Sequence, residues 1–367
     1  MIRTEEMMLN VGPQHPSTHG VFRLVLKIDG EIIIEAKPVI GYLHRGTEKL
    51  AENLQYTQII PYTDRMDYLS AMTNNYCICH AVETMMEIEV PERAEYLRVL
   101  AMELGRVASH LVWWGTYLLD LGSQGPFLYA FREREMIINL LTELSGARLT
   151  FNYMRIGGVK WDAPDGWLMK VKNFVPYMRK QLAGYHELVS GNEIFLNRVK
   201  GVGKYSQEEA LAYSLSGANL RCTGVKYDVR KNHPYSLYDR FDFDVPVGTG
   251  EGDAYSRYVC RMAEIEESLK IIEQACEQFP ESGPIIGKVP RIIRPPKGET
   301  FVTIESPRGE IGCYIASDGK KEPYRMKFRR PSFYNLQILP KLLEGQNIAN
   351  LIAILGAVDI VLGEVDG

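Results

Sequence analysis

"HRGTEKLAENLQYTQIIPYTDRMDYLS", residues 44–70, carries Arg45, Gly46 and Glu48 as R-G-x-E and then, after sixteen further residues, Arg65. Immediately upstream, "VFRLVLKIDGEIIIEAKPVIG" alternates apolar and polar residues around Phe22, Leu24, Leu26 and Ile28 and turns at Asp29-Gly30, which predicts a two-residue hairpin of type I′. Before that hairpin stands "GPQHPSTHG", residues 12–20, with two histidines, two prolines and two glycines. Pro13 and Pro16 fix φ, remove donors and push the residues before them away from the helical region, so His15 and His19 cannot share a helical face. The stretch is a loop, and imidazoles on a loop suit a ligand site as well as a solvated turn.

Downstream the text is helical. Pro91 is expected in the first turn of a helix running to Asp120, with Leu97, Leu100, Leu104, Val107 and Leu111 spaced by three and four. Residues 131–145 end at Gly146 as a C-cap, and Ser206 and Glu209 have capping-box spacing. After Asp253, one stripe of Val259, Met262, Ile265, Leu269, Ile272, Cys276 and Phe279 marks a long helix. The paired prolines of "RIIRPPKGE", residues 291–299, end the helical region, and short strands with turns at "SPRGE" and "SDGKKEP" follow. The expected class is α+β, mainly α: a hairpin region over 1–40, a helical bundle over 41–290, and an antiparallel meander with an apolar final segment over 291–367.

Bulk composition excludes several functions. With 46% hydrophobic and 24% charged residues and a net charge of −4, the chain lacks the basic excess of a nucleic-acid binder. Its first residues carry no secretory pattern, so it is expected in the cytosol with reduced thiols. The tract "NLIAILGAVDIVLG" is short and broken by Asp359, so membrane contact is expected to be indirect. "GVG" at 201–203 and "GTGEG" at 248–252 lack the context of nucleotide loops and read as turns. Of six cysteines only Cys77 and Cys79 cluster, without the second pair a tight metal site uses, so core packing is expected and no metal or flavin.

The 44–70 stretch resembles the first signature of the nickel-iron hydrogenase large subunit, where the same arginine spacing precedes C-G-x-C. Matched position by position, those cysteines fall on Asp67 and Ser70 and the glycine on Tyr68. "DIVLGEVDG" resembles the hydrogenase ending D-P-C-x-x-C-x-x-H, its cysteines falling on Val361 and Glu364. Soft thiolates hold nickel and iron, and these four residues cannot replace them. A hydrogenase-like frame without its thiolates is the mark of the quinone-reducing 49-kDa subunit family of respiratory complex I. Segments resembling that family run in its order along nearly the whole chain, among them "LNVGPQHPSTHGVFRL", "GYLHRGTEKL", "PYTDRMDYL", "PFLYAFRERE", "NYMRIGGV" and "ESPRGEIG".

The resemblance implies that Tyr68 and His19 hydrogen-bond the two carbonyls of a quinone and supply its protons, with His15 a weaker, channel-lining candidate. Such chemistry suits a phenol and an imidazolium, since a reduced quinone is basic at both oxygens. Asp120, a carboxylate among apolar neighbours in "LVWWGTYLLDLG", needs a partner, and the resemblance makes that partner His19. Arg45 is expected beside a [4Fe-4S] cluster held by the Fe-S small subunit, the B component of the complex. Further implied partners are the C component, other peripheral-arm subunits, and the membrane-arm quinone-channel subunit, the H component. The assembly is expected on the cytoplasmic side of the cell membrane as a proton-translocating NADH-quinone oxidoreductase. Thr150 replaces a histidine that many relatives place against that cluster, so menaquinone is favoured over ubiquinone. The segment before Arg294 is shorter than in many relatives by roughly thirty residues, and Gly367 stands where relatives often have arginine. A ferredoxin- or deazaflavin-fed enzyme would use the same module, a pure scaffold would not need Tyr68, and a nickel-iron enzyme is opposed by the missing thiolates.

Overall fold

The computed structural model describes residues 5–13 and 20–367. Three antiparallel strands, Glu6–Val11, Arg23–Asp29 and Ile32–Val39, form an N-terminal sheet in chain order. Leu24, Leu26 and Ile28 point inward as the alternation requires. The turn differs from the type I′ expectation: Asp29 pairs with Ile32, so Gly30 and Glu31 are the central residues. Of these two only Gly30 has positive φ, at 60°. Glycine at the first central position fits a primed turn needing a left-handed residue there alone. The Glu6–Val11 strand has no counterpart in the sequence reading, because its residues are largely exposed and so show no inward stripe.

The middle of the chain is helical. Among its elements are Tyr56–Thr63, Ala71–Met86, Glu92–Asp120, Gln124–Ser145, Trp167–Tyr185 and Ala254–Glu277. Pro91 caps the 92–120 helix from outside, at φ −61° and ψ 141°, instead of lying in its first turn. Its extended ψ turns the chain into the helix while its carbonyl still accepts from Glu95 N at 3.1 Å. The helix that begins at Gln124 ends at Gly146 in left-handed conformation, φ 82°, as expected of a C-cap. Ser206 and Glu209 form the expected capping box. Asp253 caps the 254–277 helix by accepting from Ser256 N at 2.7 Å, and its other oxygen accepts from Gly201 N at 2.7 Å. The "GVG" turn is thereby tied to the start of that helix.

Strands Gly298–Ser306, Gly309–Ser317 and Arg325–Arg329 form the antiparallel C-terminal meander. Helix Leu351–Val358 follows, then Asp359 in left-handed conformation, then the short helix Leu362–Asp366. The molecule is therefore α+β with helices dominant. One core joins the bundle to the inner face of the C-terminal sheet, through Ile304, Ile311, Ile315 and Met326. Cys77 and Cys79 pack in that core. A second core joins the N-terminal sheet to the final helices, through Leu26, Ile33, Leu342 and Leu362. The final segment adjoins both, with Ala357 in the first core and Val358, Ile360, Leu362 and Val365 in the second.

Candidate functional site

The segment after the 56–63 helix meets the segment after the 351–358 helix. Gly363 makes the approach possible: a Cβ there would sit 2.6 Å from Met66 O and 2.8 Å from Arg65 O. The two stretches matched to hydrogenase cysteines are thus neighbours in space. Between them lies a cavity of about 110 Å³ lined by Tyr68, Trp113, Thr116 and Tyr117, by Arg308 and by residues 359–361. Trp113 donates its indole N–H to Gly356 O at 2.8 Å and Tyr117 its hydroxyl to Ala353 O at 3.1 Å, which fixes both rings in the wall.

Tyr68 is half-buried in this wall. Burial, followed by the neighbouring Asp67 charge, raises its phenol above the ordinary value, so it stays protonated at neutral pH. No hydrogen bond engages its hydroxyl among the described residues. An unengaged O–H facing a cavity is available to a carbonyl oxygen of a ligand.

Arg308, in the turn between the first two strands of the meander, is a site residue that sequence reasoning misses, because its segment reads only as a turn. It is fully buried, and its guanidinium donates to Asp67 Oδ2 at 3.0 Å and to the Ser109 hydroxyl, and reaches Asp359 Oδ1 at 3.5 Å. Arg261 pairs with the other Asp359 oxygen at 3.5 Å. One buried cation thus binds a carboxylate from each of the two matched stretches. Burial raises the carboxyl of Asp67, against the attraction of Arg308. The Glu264 carboxylate, also in this charged layer, accepts from His110 Nε2 at 2.8 Å and pairs with Arg221. The sequence does carry a signal for Asp359: a charged side chain inside an otherwise apolar run must find a partner.

The remaining expected site residues lie apart. Ser70 bonds Thr73 Oγ1 at 2.9 Å at the start of the 71–86 helix, away from any ion pair. Arg45 is exposed with its guanidinium over the Tyr62 ring, 5.4 Å from the centroid, and Arg65 donates to Pro61 O. Both arginines are exposed and outside the cavity lining, and neither forms an ion pair among the described residues. Glu48 accepts from Phe328 N at 3.1 Å and anchors its helix to the meander. Asp120 ends the 92–120 helix, one turn beyond cavity-lining Thr116. His15 and His19 lie outside the described residues, as does any His19–Asp120 pairing. Gly20, which follows them, abuts the C-terminal stretch: a Cβ there would sit 3.6 Å from Leu362 Cδ1. Gly367, noted for its missing arginine, instead accepts from Arg330 through its carbonyl at 2.8 Å.

Residues 120–297 and 289–367 match the family described as respiratory-chain NADH dehydrogenase, 49 Kd subunit. This chain belongs to that family. Full-length curated relatives, each named as the D subunit of NADH-quinone oxidoreductase, are 84% identical in Bacillus mycoides (strain KBAB4) and Bacillus anthracis, and 83% identical in Geobacillus kaustophilus (strain HTA426). Each alignment covers 100% of both chains. As a 49-kDa family member, the chain is one subunit of an oxidoreductase complex and has other subunits of that complex as partners. No helix of the described residues is long and apolar enough to cross a membrane.

Proposed function

We propose that this chain forms the quinone-reduction pocket of a proton-translocating NADH-quinone oxidoreductase and couples reduction to pumping. The observation that carries this reading is the Tyr68 hydroxyl, protonated, unengaged and facing a cavity between the two stretches matched to a former metal site. A quinone carbonyl accepts from Tyr68 and His19 serves the other carbonyl, with His15 a weaker, channel-lining candidate. Asp120, one turn past the cavity wall, holds the imidazole charged until reduction discharges it, and that change of charge starts the signal to the membrane pumps. Arg45 lies on the face that meets the Fe-S small subunit and favours the reduced state of its [4Fe-4S] cluster by its positive charge. The C component and the quinone-channel subunit complete the surroundings on the cytoplasmic side of the membrane, where the chain is peripheral. Menaquinone is the favoured acceptor, given Thr150.

The test is Tyr68→Phe in the assembled complex. It removes one oxygen and leaves the ring, so NADH-driven quinone reduction should fall by roughly a hundredfold while assembly persists; full activity would dismiss the pocket. Asp120→Asn should lower both turnover and pumping, and wild-type values for both would dismiss the coupling role.

A further inference from the structure

A buried cation in the wall of the Tyr68 cavity has no task in the function above. Arg308 lines the same cavity as Tyr68 and is fully buried. It also acts on Tyr68 through the backbone. Asp67 accepts from Arg308 on Oδ2 at 3.0 Å and from Leu69 N on Oδ1 at 3.1 Å, so its carboxylate closes an Asx turn with Tyr68 as the enclosed residue. The Asp67 carbonyl is held too, by Ser70 N at 3.1 Å and by Asn74 Nδ2 at 3.2 Å. Every oxygen of the residue before the phenol is thus engaged. The arginine itself stands on a fixed platform: its carbonyl accepts from Asn335 Nδ2 at 3.0 Å, and a Cβ on the following Gly309 would lie 2.7 Å from Gly217 N. Its guanidinium also donates to the Ser109 hydroxyl and reaches Asp359, another residue of the cavity wall, so three segments besides its own fix the charge in place.

We propose that Arg308 is the positioning residue of the Tyr68 proton donor: it clamps the Asx turn that carries the phenol, and its fixed charge stabilises the phenolate that forms as the proton leaves. The proposal rests on the reading of Tyr68 as the donor to quinone. In that transfer the Tyr68 O–H breaks, its electron pair stays on the phenol oxygen, and a quinol O–H forms on a quinone that has taken two electrons from the neighbouring subunit's cluster. Water then returns a proton to the phenolate. Burial and the Asp67 charge both oppose a negative phenol oxygen, and Arg308 is the group that counters them. A cation already in place does so without rearrangement at the moment of transfer. The planar fork of arginine suits this double task, because one guanidinium grips two carboxylates and a hydroxyl where a lysine ammonium is a single point charge.

The experiment measures NADH-driven reduction of a short-chain quinone analogue by the assembled complex in water and in deuterium oxide, with KM and kcat separated, for the wild type, Arg308→Gln and Arg308→Lys. Glutamine removes the charge, so kcat should fall about a hundredfold with KM little changed. The solvent isotope effect on kcat should rise above the wild-type value, because breaking the phenol O–H becomes the slow step. Lower stability alone would reduce the yield of complex and leave that isotope effect where it was. Lysine keeps a charge without the fork, so its kcat should lie between the other two. A wild-type kcat in Arg308→Gln overturns the proposal, as does a loss of kcat with an unaltered isotope effect. Should the glutamine variant not assemble, Arg308→Lys decides: a lower kcat with a raised isotope effect supports the role, and any other result overturns it. Tyr68→Phe, measured in parallel, separates the two ideas: if it abolishes reduction while both arginine variants match the wild type, only the positioning role fails. If Tyr68→Phe is fully active, both fail.

Discussion

Arg308 stands between the stretch bearing Asp67 and the stretch bearing Asp359, and its buried guanidinium holds the two carboxylates together. Taking away one member of a buried ion pair leaves the other charge desolvated and uncompensated, at a cost of roughly 3–5 kcal/mol. Arg308→Gln should therefore destabilise the chain by about that amount, whereas adding Asp67→Asn should return part of the loss, because the second change removes the stranded charge. Urea unfolding of the two single variants and the double variant measures the coupling; additive losses would mean that the pair contributes nothing as a pair. Tyr68 is legible in the sequence through a resemblance, by its place between Asp67 and Ser70. Arg308 is not, because an arginine in a short turn gives no periodic signal and its carboxylate partner Asp67 is 241 residues away.

At the scale of elements, the helices are readable where caps and stripes agree. Gly146 closes one helix and Ser206 opens another as expected, because each cap is a local interaction within four residues. The 92–120 and 254–277 helices are announced by their apolar spacing. The hairpin turn is displaced by one residue, since two adjacent candidates, Asp29-Gly30 and Gly30-Glu31, share the same glycine and pairing of the whole strands decides between them. The first strand is hidden because an edge strand with exposed side chains lacks a hydrophobic stripe. Asp253 shows how a cap also fastens a loop, through Ser256 N on one oxygen and Gly201 N on the other. Asp253→Ala should cost about 1–2 kcal/mol. Asp253→Ser keeps a capping oxygen and should recover most of the loss, as urea midpoints would register; equal losses in the two variants would argue against the cap.

At the scale of the whole molecule, buried acids of two kinds frame the dependence of stability on pH. Burial raises Glu305 to about 7, aided by Asp228 and opposed by Arg221 and Arg230. Burial likewise lifts Glu364 to about 7 and Asp64 to about 6. A carboxyl whose folded value exceeds its unfolded value of 4.5 or 3.8 binds more protons when folded. Its contribution is complete below the unfolded value and is lost as pH climbs through about 6 to 7. Asp228 has the opposite sign: burial alone would raise it, but Arg230 and Arg221 prevail and bring it to about 2. Its contribution holds above 3.8 and is lost as pH falls towards 2. Buried His110, held below its ordinary value chiefly by desolvation, adds a loss as pH falls below 6.5. Thermal unfolding should accordingly show declines on both sides of a maximum in the weakly acidic range, and Glu364→Gln should flatten the neutral side. A midpoint rising steadily from weakly acidic to weakly alkaline pH would contradict the assignment of the raised acids.

The close passage of Gly363 over Met66 and Arg65 has one more implication, for anyone wishing to move the proposed quinone pocket into another scaffold. Its walls come from four places far apart along the polypeptide, and no contiguous cassette contains them. Excising the tyrosine-bearing segment would deliver a phenol without its counterwall, and grafting the tail alone would deliver a wall with nothing to face. Transplantation must carry the entire frame, which makes the pocket heritable only as a whole and open to change mainly by replacing side chains in place.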